Sequence, residues 1–155
     1  PQLADDRLTA MFIADGHHLT PAQLKVMLRA KGAGRTLFVS DTVALGGMAP
    51  GKYETPIGGK VVLYASGFLA IDDGTRSYLA GAASPLVAAI PVLVNQVGLT
   101  LGEAVELMTS SPGRQVGGRG VLAAGQPADL VALRWDGSNS VPAVAGVWLR
   151  GNQVV

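Results

Sequence analysis

Short apolar runs, each closed by glycine or aspartate, alternate with polar stretches along the first forty residues. Leu8-Thr-Ala-Met-Phe-Ile-Ala14 is one such run and stops at Asp15-Gly16. Its length and flanks predict a strand buried on both faces, as in parallel sheets. Thr20 then reads as a helix N-cap with Pro21 at the first helical position. Leu24, Met27 and Leu28 follow at helical spacing, predicting an amphipathic helix from Pro21 to Ala30. Lys31-Gly32-Ala33-Gly34 stops that helix. A second apolar run, Thr36 to Val39, ends on Ser40-Asp41 and completes a strand–helix–strand unit of the βαβ type.

The texture changes at Gly46. Gly46-Gly47, Pro50-Gly51, Pro56 and Gly58-Gly59 break the chain before two strand candidates, Lys60 to Ala65 and Gly67 to Ile71, with a turn at Asp72-Asp73-Gly74. This predicts a β-excursion over about 46–80. Helical spacing resumes from Ser84-Pro85 to Val97, where Pro91 should kink the helix or remove a hydrogen bond. Thr100 and Glu103 form a capping box for another helix reaching Met108. Ser110-Ser111-Pro112 reads as the turn ending it, and Gly117-Gly118-Arg119-Gly120 as a loop. The tail predicts strands at Leu130 to Leu133, Val144 to Leu149 and Val154-Val155, with a turn at Gly151-Asn152. These elements divide the chain into residues 1–115 and a strand-rich portion, residues 116–155.

Composition narrows the classes. Hydrophobic residues make up 48% of the 155 positions and charged ones 15%, which predicts a packed core rather than disorder. A net charge of +1 with scattered Lys and Arg gives no case for nucleic acid. No apolar run approaches the roughly 20 residues that span a bilayer. Cysteine is absent, which removes disulfides and thiolate chemistry and suits a cytoplasmic protein. Pro1-Gln2-Leu3 carries no initiator Met and no signal-peptide pattern, and reads as a chain cut from something longer, or processed.

Both predicted strands of the βαβ unit end in a carboxylate. In parallel α/β folds the chemistry sits beyond the C-terminal strand ends, so Asp15 and Asp41 stand where a site is expected. Asp41 could accept and return a proton; alternatively, Ser40-Asp41-Thr42 is ordinary turn chemistry. His17 and His18 could ligate a metal, act as bases or bond a polar substrate; alternatively, they bond loop backbone. Adjacent side chains diverge, so a cage from this chain would need His17 or His18 with Asp15 and Asp41, short of the ligand set zinc usually takes. Neither glycine cluster has nucleotide-binding spacing. No Ser–His–Asp set surrounds Ser110 and Ser111. Arg76, Arg114 and Arg119 could meet a phosphate, although solvated surface arginines are commoner.

Ile13-Ala-Asp-Gly-His-His18, Leu37-Phe-Val-Ser-Asp41 and Leu79-Ala-Gly81 resemble, in order and rough spacing, the C-terminal half of N-acetylglucosamine-6-phosphate deacetylases of the amidohydrolase superfamily. The tail from Gly120 to Val131, with Trp148 to Gly151, is similar to the closing strands of that superfamily. The resemblance implies the last two strand–helix units of a distorted (β/α)8 metallo-hydrolase barrel plus a small C-terminal β-sandwich portion, usually in a homodimer. It implies hydrolysis of the acetamide of N-acetylglucosamine 6-phosphate to glucosamine 6-phosphate and acetate. In that pattern Asp41 matches the catalytic aspartate, which activates a metal-bound water and then protonates the departing amine. His18 matches the substrate-contacting histidine, with Asp15, Gly16 and His17 in the same loop. Leu79, Ala80 and Gly81 match a backbone segment that closes over the sugar. Ser40 stands where Thr is typical and keeps the hydroxyl; Ala82 and Pro85 depart from the common Ser and Thr. The divalent metal, zinc or similar, is held in the family by residues outside this chain, as is the phosphate. The chain is therefore expected to be inactive alone, because a carboxylate without a Lewis acid cannot make hydroxide from water of pKa about 15.7. Other expectations are a cyclic-amide hydrolase or deaminase of the same superfamily, a non-catalytic binding module, or a small metal protein using Asp15, His17 and Asp41.

Overall fold

The computed structural model describes residues 1–56, 59–75 and 78–155; Gly58 and Arg76, singled out above, lie outside them. Strand β1 (Ala10–Ile13) and strand β2 (Thr36–Val39) pair in parallel, Ile13 against Val39, across helix α1 (Pro21–Lys31). The helix starts as its sequence predicts. Thr20 accepts from the Gln23 amide, Gln23 bonds back to the Thr20 amide, and Pro21 takes the position where no amide hydrogen is needed. Leu24 and Leu28 are buried against the sheet.

The prediction that β1 is covered on both faces needs correction. Phe12 is buried in the main core, but Met11, on the opposite face of the strand, is 64% exposed, so among the described residues only one face of β1 is covered; β1 also has a single described neighbour, β2. Leu3, Leu8, Met11 and Met27 line a cavity of about 490 Å³ there. Strand β2, by contrast, buries Thr36, Leu37 and Phe38 in succession. Lys31 is buried and donates to the carbonyls of Gln2 and Asp5 at 3.2 and 2.5 Å, holding the N-terminal turn against α1.

The excursion is a four-stranded antiparallel meander: β3 (Gly51–Thr55), β4 (Gly59–Leu63), β5 (Phe68–Ile71) and β6 (Leu79–Ala82). The sequence reading missed β3 and β6. Its own small core gathers Val61, Leu63, Leu69, Leu45 and Ala83.

Beyond it, residues 86–97 wind continuously through three pitches: a 3-10 turn at Leu86–Ala88, a short α turn, α2 (Ala89–Pro91), and a π segment at Val92–Val97. Pro91 is accommodated by this change of winding, since the wider π turn follows where proline withholds its amide. Helix α3 (Leu101–Met108) carries the expected Thr100–Glu103 capping box. Ser110-Ser111-Pro112 is not a terminating turn. It opens a further helix, α4 (Ser110–Gln115), whose first turn tolerates Pro112 for want of an amide partner. Phe12, Phe38, Leu24, Ile90, Leu93 and Leu107 meet in the main core.

The tail forms an antiparallel sheet of β7 (Leu130–Arg134), β8 (Ala143–Leu149) and β9 (Asn152–Gln153). The last turn falls one residue earlier than predicted, at Arg150-Gly151. Their φ values of 49° and 82° give the double left-handed backbone of a tight two-residue hairpin. Val154 still bonds Val147 past the end of β9. Val131, Leu133, Val144, Leu149 and Val154 remain exposed on this sheet, and Asn95 and Trp135 fasten its β7–β8 loop to the helical layer.

Candidate functional site

The register Ile13↔Val39 places Asp15 and Asp41 two residues beyond the paired ends of adjacent parallel strands. Their environments are opposite. The Asp15 side chain is 5% exposed, and its oxygens are fully engaged. Oδ1 accepts from the His17 amide at 2.9 Å and the His18 amide at 3.0 Å, while Oδ2 faces His18 Nδ1 at 2.9 Å. Burial alone would raise this carboxyl. The two amides and the imidazole outweigh burial and hold it below the ordinary aspartate value.

Asp41 is exposed and sits at φ 50°, in the left-handed region that side-chain-bearing residues rarely occupy. Its carboxylate makes no hydrogen bond among the described residues. The turn chemistry is supplied by its neighbour, since the Thr42 amide donates to Ser40 Oγ at 3.4 Å. The backbone strain is thus not repaid by a local side-chain bond, a pattern that clusters at functional positions.

The two histidines diverge as adjacent residues must. His17 Nε2 meets the carbonyl of Ser66 at 3.2 Å, and its ring packs edge-on against Phe68 with centroids 5.2 Å apart. His18, with a side chain 21% exposed, turns its Nδ1 to Asp15 and leaves Nε2 without a hydrogen bond among the described residues. The expectation of loop histidines bonded to backbone holds for His17.

The excursion is tied to both strand tips. His17 reaches its β4–β5 turn, the Val43 amide donates to the Ala82 carbonyl at 2.8 Å, and Thr42 Oγ1 donates to the Ser84 carbonyl. Leu79, Ala80 and Gly81 are half-buried in β6 beside that last tie. Gly81 has φ 113°, and a Cβ there would lie 2.9 Å from Val43 Cγ1, so the loop after Asp41 approaches β6 too closely for a side chain. Gly16, at φ 78°, lets the chain turn from β1 into the histidines. The sequence offered no signal for Ser66, Thr42 or Ser84 as the ties. Asp15 and Ser40 share a cavity with Ser84 and Pro85, but its volume of about 10 Å³ admits one water and no sugar. No hydrogen bond or ion pair joins Asp41 to His18 among the described residues.

Among the described residues no three His, Asp or Glu side chains group to hold a metal ion. The donor chemistry agrees: Asp15 is consumed by three hydrogen bonds and His17 Nε2 by a carbonyl. The set Asp15, His17 and Asp41 therefore does not fit a metal. Arg114 and Arg119 pair with Glu106 and Asp129 at 3.8 and 3.7 Å, on exposed side chains. No helix among the described residues is long and apolar enough to cross a membrane.

No family model matches the chain. It is 31% identical over 157 residues to the "Putative N-acetylgalactosamine-6-phosphate deacetylase" of Escherichia coli K12, covering 96% of this chain and 84% of that protein. It is likewise 31% identical to the N-acetylgalactosamine-6-phosphate deacetylase of Escherichia coli O157:H7, spanning 37% of its length. A solved N-acetyl-D-glucosamine-6-phosphate deacetylase from Mycobacterium smegmatis, in complex with N-acetyl-D-glucosamine-6-phosphate, superposes over 99% of this chain with TM-score 0.83 and 30% identity. The chain spans 39% of that structure. With its mixed α/β fold and its strand-tip motifs in place, the chain belongs to the family of N-acetylglucosamine- and N-acetylgalactosamine-6-phosphate deacetylases.

Proposed function

We propose that the protein carrying this chain hydrolyses the acetamide of N-acetylglucosamine 6-phosphate to glucosamine 6-phosphate and acetate, as a cytoplasmic homodimer. Residues 1–115 supply the last strand–helix units of its (β/α)8 barrel, and residues 116–155 supply strands of a small β-sandwich. The parallel β1–β2 pair with an open edge supports the first assignment, and the exposed apolar residues of the tail sheet support the second.

The observation that carries the reading is Asp41: an unengaged carboxylate on a left-handed backbone two residues past the end of β2, with Asp15, paired to His18, two residues past the end of its neighbour. In the reaction, the Asp41 carboxylate takes a proton from the water that attacks the acetyl carbonyl carbon. It returns that proton to the nitrogen as the carbon–nitrogen bond breaks, leaving acetate and a free amine. Asp15, Gly16, His17 and His18 form the loop facing the sugar, and Leu79, Ala80 and Gly81 close over it. The family's divalent metal finds no cage among the described residues; residues outside this chain would hold it, and it would supply the Lewis acidity that lets a carboxylate take a proton from water.

A second reading differs only in the sugar. The Escherichia coli relatives at 31% identity are named for N-acetylgalactosamine 6-phosphate, which makes that epimer the other substrate to test. The assay is release of free amine from both sugar phosphates, with hydantoins and aminopurines as controls, by a protein of the longer relatives' length carrying this chain. Asp41→Asn should lower kcat by about 10²–10⁴-fold, the range for losing a positioned proton-transfer group. Turnover of neither sugar, or an Asp41→Asn variant as fast as wild type, would overturn the proposal.

A further inference from the structure

Asp15 has no role in the chemistry above beyond its place in the loop, yet it is the most completely satisfied side chain of the site. We infer that Asp15 is a positioning residue: it fixes the His18 imidazole as the Nδ1–H tautomer and so makes its Nε2 a hydrogen-bond acceptor toward the sugar. The use made of that nitrogen rests on the proposed function; the tautomer does not.

The geometry leaves little choice. An ionised carboxylate has acceptors only. Asp15 Oδ1 already receives two backbone amides, and Oδ2 lies 2.9 Å from His18 Nδ1. The proton of a neutral His18 must therefore sit on Nδ1. The other ring nitrogen carries a lone pair and has no described protein partner, on a side chain that still reaches solvent. The same two amides that bind Oδ1 fix the carboxylate plane, so the ring is aimed as well as protonated. A hydroxyl-rich ligand offers the donors such a nitrogen accepts. Partners of this kind, one shell behind the contacting group, commonly alter affinity or rate by about 10–100-fold when removed.

Asp15→Asn is the informative change. The amide oxygen can still receive the two backbone amides, which turns its NH2 toward His18 Nδ1. That donor favours a bare Nδ1 and drives the proton to Nε2, a switch of tautomer with little change of shape. The chain contains two histidines, so nitrogen-15 ring shifts are readily assigned with a His17→Gln variant. In alkaline solution, wild-type His18 should show a protonated Nδ1 and bare Nε2, and Asp15→Asn should show the reverse. In the hydrolytically active protein, the same substitution should raise KM by about tenfold or more, with a smaller change in kcat. A wild-type His18 protonated on Nε2 overturns the inference without any variant. An Asp15→Asn protein whose ring keeps the wild-type pattern does the same. Failure to hydrolyse either sugar phosphate overturns the proposed function and leaves the tautomer result standing.

Discussion

Replacing Asp41 by glycine relieves a backbone held at φ 50° and removes a carboxylate that bonds to nothing among the described residues. Replacing it by alanine removes the carboxylate and keeps the strain. Holding an L-residue in the left-handed region costs about 1–2 kcal/mol, with aspartate toward the lower end because its short polar chain tolerates it. Glycine gives back about 0.5–1 kcal/mol through the added freedom of the unfolded chain. Glycine should therefore match or exceed wild type, and alanine should fall about 1 kcal/mol below glycine, the difference of those two effects. With a urea m-value of about 2 kcal/mol/M, that gap moves the midpoint by about 0.5 M with an unchanged slope. Equilibrium urea unfolding of the three proteins resolves it. Both variants should lose hydrolysis in the complete enzyme, so a protein that gains stability there loses its chemistry. Equal midpoints for glycine and alanine would refute the strain argument. A glycine variant more than about 1 kcal/mol below wild type would show that the carboxylate is held by contacts, and is a turn residue after all.

Three further outcomes follow from the same geometry. Asp15→Ala strands two part-buried amides and an imidazole N–H, and should cost about 1–3 kcal/mol at pH 7. Because the folded Asp15 carboxyl lies below its ordinary value of 3.8, its contribution is complete above about pH 4 and is lost as pH falls through the folded value. The gap to wild type should thus narrow in urea melts as pH falls below 3.8, and a constant gap would exclude the assignment. Gly113→Ala should be strongly destabilising, by about 3 kcal/mol or more, since its Cβ would lie 1.7 Å from the Arg119 carbonyl oxygen, and backbone cannot step aside as a side-chain tip can; thermal melts check it. The 155-residue chain, dialysed against zinc, should bind it substoichiometrically, and a tight one-to-one ion would show that Asp15, His17 and Asp41 are not consumed as their hydrogen bonds and placement require.

Much of the first forty residues was legible because local and tertiary preferences agree there. The Thr20 cap, Pro21 and the Leu24–Leu28 face specify α1 before any packing is considered, and β2 is too uniformly apolar to lie anywhere but inside. The excursion was harder. Its β6, Leu79–Ala82, alternates nothing and owes its strand to pairing with β5, a partner the local sequence does not name. Ser110-Ser111-Pro112 misled for a related reason: it holds turn-forming residues, but Pro112 falls in the first turn of a helix, where proline costs least. Asp15 and Asp41 were singled out by the rule that strand ends carry chemistry, and the structure does put both just past paired strand ends. Which of them is buried and which is bare was not legible, because that depends on the hydrogen bonds the following loop returns to each.

The adjacent histidines make the same point more sharply. Their adjacency argued against a shared metal, since neighbouring side chains leave the backbone in different directions. The same divergence lets one short loop do two unlike things. His17 must carry its proton on Nε2 to meet the Ser66 carbonyl, and His18 must carry its own on Nδ1 to meet Asp15. Opposite tautomers in consecutive residues thus arise from one backbone carbonyl and one carboxylate. The first histidine ties the loop to the sheet beside it, and the second turns a lone pair outward. If that lone pair faces the sugar, precision at the site comes less from the exposed, strained Asp41 than from the buried Asp15 next to it. On the proposed function, an unengaged Asp41 side chain is compatible with proton transfer so long as the Asp15–His18 loop is held, as its hydrogen bonds hold it.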